Sequence, residues 1–312
     1  MQSIQTVVIL GAGAMGSVYA SLFQDSGQFR TSFLADGERY RRLERDGVIV
    51  NKKTYKITCR KPSQIENPAD LILVALKHHH LSDALPLMDK AVGKNTTIIS
   101  VMNGLDSETI IGARFGMEKM LHMIAVGIDA VRKENHVTCS KPGILYFGEK
   151  GGGLASEKAA RMKEALDRAG IPSEVEADII RKMWWKFMIN VGMNQSSAVL
   201  RAPYGVYQTS KEAISLMKSL MLEVIRIAQA RGINLTMDDI TEWIGFLNTL
   251  SPEGKTSMFQ DIEAGRKTEV EIFGGKVIEL GNALNIPTPI NLAFFQMIKV
   301  LEGMGVDRPS ID

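Results

Sequence analysis

Over the first hundred residues, short apolar runs alternate with stretches that carry an apolar residue at every third or fourth position. This spacing predicts strands at Thr6–Leu10, Thr31–Leu34, Leu71–Ala75 and Ile98–Val101, and a first helix over Gly16–Phe23. Leu71–Ala75 shows no polar alternation, as expected of a strand covered on both faces. Strands and helices in this succession build a parallel sheet. From about Met120 to Glu149 the chain becomes β-rich. There Lys141-Pro142-Gly143, between His136–Ser140 and Ile144–Phe147, predicts a hairpin turn and antiparallel strands at a sheet edge.

Gly151-Gly152-Gly153 has the composition of a linker, yet the helical pattern of Ser156–Ala169 and the segment Ile171–Val175 still fit the first domain. The boundary is expected near Asp178, giving domains at 1–177 and 178–312. Beyond it the pattern is helical throughout: Ile179–Ser197, Lys211–Arg231, Met237–Leu250, Lys255–Leu284 and Ile290–Leu301, with Gly232, Pro252 and Pro287 as punctuation. The expected architecture is α/β, with a Rossmann-type dinucleotide-binding domain followed by an all-helical C-terminal domain.

Composition adds exclusions. The 312 residues are 45% apolar and 23% charged, ordinary for a folded globular protein, and the net charge is +2. With no basic block or aromatic-spaced basic stripe, nucleic acid is not expected as a partner, whereas an anionic small molecule remains open. Cys59 and Cys139 have no second Cys or His at ligand spacing, so neither a zinc site nor a disulfide framework is indicated and a reducing cytoplasm fits best. Val7 to Phe23 is uncharged, but it lacks a basic leader, is too short to span a membrane and contains three glycines. No membrane is expected.

Those glycines have another reading. Gly11-Ala12-Gly13-Ala14-Met15-Gly16 is a G-x-G-x-x-G placed between a strand and a helix. Its glycines permit a tight turn, close approach of a pyrophosphate and close helix–strand packing. Asp36, twenty residues past the last glycine, can accept a hydrogen bond from a ribose hydroxyl, which favours NAD(H). Arg39, Arg41 and Arg42 follow within six residues and can serve a phosphate instead. Lys77 and Asn103-Gly104 each stand just past a predicted strand, where open α/β sheets collect ligands. His78, His79 and His80 are consecutive and do not converge on one helix face, so no metal is expected.

On the predicted helix Ile179–Ser197, Lys186, Asn190 and Asn194 recur at i, i+4 and i+8 among apolar residues, forming one polar stripe. A helix so apolar elsewhere is expected to be buried, with its stripe facing a wet cleft. A second cluster runs through Ser257-Met258-Phe259-Gln260-Asp261 to Arg266-Lys267-Thr268-Glu269. Ser257 and Glu269 would be out of phase on an unbroken helix, although Gly265 can redirect the path. Spacing alone leaves a solvated helix open.

Taken together, Gly11–Gly16, Leu76-Lys77, Met102-Asn103-Gly104, Trp185-Lys186-Phe187-Met188-Ile189-Asn190 and the Ser257 to Glu269 cluster resemble the ketopantoate reductase (2-dehydropantoate 2-reductase) family over almost the whole chain. The resemblance implies hydride transfer from a nicotinamide coenzyme to the C2 ketone of ketopantoate, on the route to pantothenate and coenzyme A. Lys186 would be the general acid and Glu269 the partner of the substrate hydroxyl. Asn190, Asn194 and Ser257 would bind substrate, and Lys77 and Asn103 would line the coenzyme cleft, Asn103 beside the nicotinamide. The family default is NADP(H), with an Arg at the end of strand 2 where this chain has Asp36, so NAD(H) stays open. Gly254 replaces a common Asn, which keeps another 2-oxo acid open as substrate. A dinucleotide-binding sensor without catalysis is the rival from another class. The apolar helical domain leaves room for a homodimer.

Overall fold

In a computed structural model of the chain, which describes residues 3–151 and 156–306, strand β1 (Thr6–Leu10) has parallel neighbours on both sides. Its side chains alternate between two buried layers: Val7 and Ile9 join one apolar cluster, Val8 and Leu10 the other. Helix α1 (Ala14–Asp25) returns the chain to β2 (Arg30–Leu34), and α2 (Gly37–Asp46) leads into the short strands β3 (Val48–Val50), β4 (Lys53–Tyr55) and β5 (Thr58–Arg60). Next come β6 (Leu71–Val74), α3 (Leu81–Ala84), β7 (Thr97–Ser100), α4 (Ser107–Phe115), the long pair β8 (Met120–Lys133) and β9 (His136–Gly148), α5 (Glu157–Arg168) and β10 (Ser173–Val175). The sheet order is β4-β3-β9-β8-β7-β6-β1-β2-β5, with β10 parallel to β9. The four strands expected at the centre are present to within a residue. The proposed Gly151–Gly153 linker lies partly outside the described residues.

The expected turn at Lys141–Gly143 is not there. β8 and β9 turn instead at Glu134-Asn135, where Glu134 has φ +54°, and Pro142 sits inside β9 opposite Ile128. The ladder runs through the Pro-Gly pair in register, Val126 opposite Ile144 and Ile128 opposite Pro142, with Gly143 in the left-handed region (φ +72°); the register shift falls beyond it, at Asp129/Ala130, where Ser140 is the extra residue of a bulge. The pair is not at the edge either, because β3 and β4 extend the sheet beyond β9.

The chain divides into two compact units, Met1–Lys182 and Met183–Asp312. The second is helical. α6 (Ile179–Ile189) enters it, followed by a π turn at Asn190–Asn194, then α7 (Gln195–Leu200), α8 (Tyr204–Thr209), α9 (Lys211–Ala230), α10 (Met237–Leu247), α11 (Ser257–Glu263), α12 (Gly274–Leu284) and α13 (Pro289–Val306). α9 is its core, with Met217, Leu220, Met221 and Val224 fully buried. Two helices expected to be continuous are interrupted. Ile179–Ser197 contains the π turn, and Lys255–Leu284 breaks at Gly265, whose φ of +61° no helix interior accepts.

Within the sheet, Asp70 fastens the start of β1 to the start of β6. One carboxylate oxygen accepts from the Gln5 and Thr6 amides at 2.9 and 2.8 Å and from the Thr6 hydroxyl at 2.8 Å. Burial works to raise the Asp70 pKa, but these donors and the charge of Arg161 outweigh it and hold the carboxyl below its usual range. A depressed carboxyl stabilises the fold above its unfolded pKa and loses that contribution as pH falls through the folded value. Asp70→Asn is therefore expected to lower stability by about 1–2 kcal/mol at pH 7. In urea unfolding the gap to wild type should narrow between pH 7 and pH 3. A gap of the same size at both pH values would contradict this role.

Candidate functional site

The loop after β1 is shaped by what its glycines exclude. Gly11 has φ +107°, and a Cβ there would lie 2.4 Å from the Ala75 carbonyl oxygen; one at Gly16 would lie 1.8 Å from the Gly11 carbonyl oxygen. Both serve close packing. Gly13, the residue before α1, is different: its nearest neighbour would be the Ala75 oxygen at 3.9 Å, so its missing side chain leaves open space. Ala14, Met15 and Gly16 form the first turn of α1, where amide N–H groups favour an anion. The loop thus has the tight turn, the cleared approach and the helix start that a pyrophosphate requires.

Beside it, at the carboxyl ends of the strands, is a cavity of about 410 Å³ whose lining includes Gly11, Ala12, Asp36, Arg39, Arg42 and His80. The residues present therefore fit a dinucleotide. Asp36 caps α2, its Oδ1 accepting the Gly37 amide at 2.7 Å. His80 closes a 3₁₀ turn made by the three histidines, a part in the cavity that the sequence pattern did not signal. Lys77 and Asn103 follow β6 and β7 and are half-buried, but they do not belong to the lining of this cavity. The Asn103 loop is tied down from below. Ser100 accepts the Met102 amide (3.3 Å) and donates to Ser107 (2.9 Å), which donates to the buried Glu108 (2.9 Å).

The helical unit assembles the second set. An α-helix advances ~100° per residue, so the stripe Lys186, Asn190, Asn194 would drift by roughly 80° over its length. The wider π turn at Asn190–Asn194 advances less per residue and offsets part of that drift. Asn194 is buried and donates to Asn190 Oδ1 at 3.2 Å, while its own Oδ1 accepts from the Ser257 hydroxyl at 3.2 Å and the Met258 amide at 3.3 Å. Asn190, Asn194 and Ser257 are thus brought together, and Lys186 stands one helical turn before them. Ser257 remains exposed and Lys186 half-buried, so both can meet a ligand.

The π turn is held by the residues that follow it. Gln195 donates to the Val191 carbonyl (3.0 Å), Ser196 to that of Gly192 (2.7 Å) and Ser197 to that of Asn194 (3.1 Å). Ser197 also bonds Thr256 Oγ1 at 2.6 Å, and Thr256 caps α11, which fixes Ser257. Sequence reasoning missed these residues. The available signal was four consecutive polar side chains, Asn194 to Ser197, in a helix that is otherwise apolar.

Glu269 is buried and stands on a separate segment, between α11 and a 3₁₀ turn at Val270–Ile272. Its neighbour Thr268 fixes that segment through Glu302, which accepts from the Thr268 amide (2.8 Å) and hydroxyl (2.7 Å). Gly254 packs against Tyr204, where a Cβ would come within 2.7 Å of the ring, so no larger residue fits without moving that tyrosine.

Two family models match the sequence, Ketopantoate reductase PanE/ApbA over residues 7–152 and Ketopantoate reductase PanE/ApbA C terminal over residues 178–302. The chain belongs to the ketopantoate reductase family. Relatives named 2-dehydropantoate 2-reductase from Pyrococcus horikoshii and Archaeoglobus fulgidus are 27% and 25% identical over 96% of this chain and 98% of theirs. Among solved structures, 2-dehydropantoate 2-reductase from Geobacter metallireducens matches with a TM-score of 0.84 and 26% identity, over 95% of this chain and 99% of that one. D-mandelate dehydrogenase in complex with NADH and anilino(oxo)acetate shares the fold, with a TM-score of 0.87 at 20% identity over 97% and 100% of the two chains. This is a family of dinucleotide-dependent oxidoreductases acting on small 2-oxo acids.

The glycine geometry separates folding from binding. Gly13→Ala should fold with a melting temperature close to wild type but lose affinity for a nicotinamide dinucleotide by tenfold or more, because only the approach is filled. Gly16→Ala should instead lower the melting temperature. Equal melting losses in the two variants, or undiminished dinucleotide binding by Gly13→Ala, would contradict the assignment.

Proposed function

We propose that the protein reduces 2-dehydropantoate (ketopantoate) to pantoate, with Lys186 as general acid. The observation that carries this reading is the convergence of Asn190, Asn194 and Ser257 one helical turn beyond Lys186. The glycine loop, Asp36, Lys77 and Asn103 are the residues that would hold the nicotinamide coenzyme, which supplies a hydride to C2 of the substrate. The oxygen of the ketone then gains a negative charge. The Lys186 ammonium stabilises that charge as it develops and donates the proton that completes the hydroxyl, and the same positive charge suits a 2-oxo acid. Asn190 and Asn194 orient the substrate, Ser257 serves its carboxylate, and Glu269 accepts from its C4 hydroxyl.

The family default supports NADP(H), while Asp36 supports NAD(H). The nearest rival is a reductase of another 2-oxo acid on the same scaffold, to which the Gly254 packing lends weight. A sensor that binds dinucleotide without reacting is less consistent with a lysine and a buried glutamate on the acceptor side. A cytoplasmic location fits the cysteine usage, and among the described residues no helix is long and apolar enough to cross a membrane. A homodimer belongs to the same reading: Met297, Val300 and Met304 expose apolar side chains within about 60° of one another around α13. Light scattering should give about twice 34.4 kDa, and a mass near 34.4 kDa at micromolar concentration would exclude the dimer.

Lys186→Ala is expected to lower kcat by ~10²-fold or more while leaving coenzyme affinity unchanged. Glu269→Gln is expected to impair kcat/KM for ketopantoate much more than for 2-oxoisovalerate, which lacks the hydroxyl. Near-normal turnover in the first variant, or equal losses with both substrates in the second, would overturn the corresponding role.

A further inference from the structure

Next to the dinucleotide cavity, and sharing Arg39, Arg42 and Leu43 with it, is a second basin of about 310 Å³. Its opposite wall is the β8–β9 hairpin, which contributes Arg132, Glu134 and Asn135. Arg132 donates through Nε to the Glu134 carbonyl, but its Nη1 is buried without a hydrogen-bond partner. Burial, together with the charges of Arg39 and Arg42, pushes the Arg132 pKa down to about 10, so the group stays charged at neutral pH against that opposition.

Carboxylates do not balance the cluster. Asp46 and Glu134 also line the basin, but Asp46 is engaged by Arg45 in a two-point pair at 2.7 and 2.8 Å, with the charge of Arg42 a smaller influence on it, and Glu134 is exposed. Arg41, the remaining arginine of this stretch, pairs with Glu38 at 3.1 Å and lines neither cavity. Three guanidinium groups held together are unfavourable unless an anion completes them, and a planar fork of N–H donors suits a phosphate above other anions.

We propose that Arg39, Arg42 and Arg132 form a phosphomonoester site that takes the 2′-phosphate of NADP(H), with Arg132 as the residue that completes it. The placement supports the adenosine ribose as the source. The basin opens from the cavity lined by Asp36, the residue positioned for the ribose hydroxyls, and Asp36 is engaged by the Gly37 amide of its own helix. Arg132 sits on a hairpin far along the sequence from strand 2, so the absence of an arginine at position 36 does not decide the coenzyme.

The proposal rests on the dinucleotide reading of the cavity, and the test separates the two. Binding to the purified full-length protein is measured by calorimetry for adenosine 2′,5′-bisphosphate, for 5′-AMP and for inorganic phosphate. Wild type should bind the bisphosphate at least tenfold more tightly than 5′-AMP. Arg132→Ala should lose most of that ratio with 5′-AMP affinity unchanged, which also reports that the variant is folded. Arg132→Lys should recover part of the preference, and Arg41→Ala should retain it. An unchanged ratio in Arg132→Ala would overturn the proposal while leaving the dinucleotide cavity intact, whereas failure of wild type to bind either nucleotide would overturn both. Inorganic phosphate competing no better with the bisphosphate than with 5′-AMP would show that the basin does not hold the 2′-phosphate.

Discussion

In the helical unit, five residues at Asn190–Asn194 wind more widely than an α-helix, and the placement of Asn190, Asn194 and Ser257 depends on this turn. A π turn leaves carbonyl groups poorly placed for the regular ladder, and a buried carbonyl without a donor is costly. Gln195, Ser196 and Ser197 supply donors from their side chains, so the irregular geometry is stable inside the fold. Gly192 lets the turn lie against α9, since a Cβ there would come within 2.5 Å of Met221. The result is a helix that changes phase where its polar stripe would otherwise drift. Through Ser197 and Thr256 it also sets the position of α11 and hence of Ser257.

The nucleotide unit is organised by a different constraint, the handling of negative charge by backbone and guanidinium groups. Gly11 and Gly16 bring strand and helix together, and the opening at Gly13 is what remains for a ligand. Arginines on α2 and on the β8–β9 hairpin gather around one basin, where Asp46 is already engaged by Arg45 and Glu134 is exposed. Neither arrangement needs a metal ion or a nucleophilic side chain. Both suit a protein that binds a dinucleotide.

Much of this could be anticipated from the residues. The alternation of apolar runs located β1, β2, β6 and β7 because both faces of those strands are buried, and the glycine spacing located the loop after β1. Local rules failed where tertiary pairing outweighed them. Lys141-Pro142-Gly143 carries turn chemistry, yet the long β8–β9 ladder continues through it in register and bulges only beside it, at Ser140. The segment Lys255–Leu284 has helical spacing throughout, but Gly265 and the Thr268–Glu302 bonds divide it. In the helical site, the stripe of Lys186, Asn190 and Asn194 was visible from spacing, whereas the link from Asn194 to Ser257 was not, because it joins residues 63 positions apart. Arg132 escaped notice for the same reason: it is one basic residue on a strand until the hairpin brings it to Arg39 and Arg42.

The central claim is that these elements serve reduction of a branched 2-oxo acid bearing a hydroxyl. Its most direct test is the initial rate of coenzyme oxidation by the purified protein with ketopantoate, 2-oxoisovalerate and phenylglyoxylate, each with NADPH and with NADH. The account predicts that ketopantoate gives the highest kcat/KM of the three with either coenzyme. No oxidation with any of them, or a clear preference for the aromatic 2-oxo acid, would contradict it.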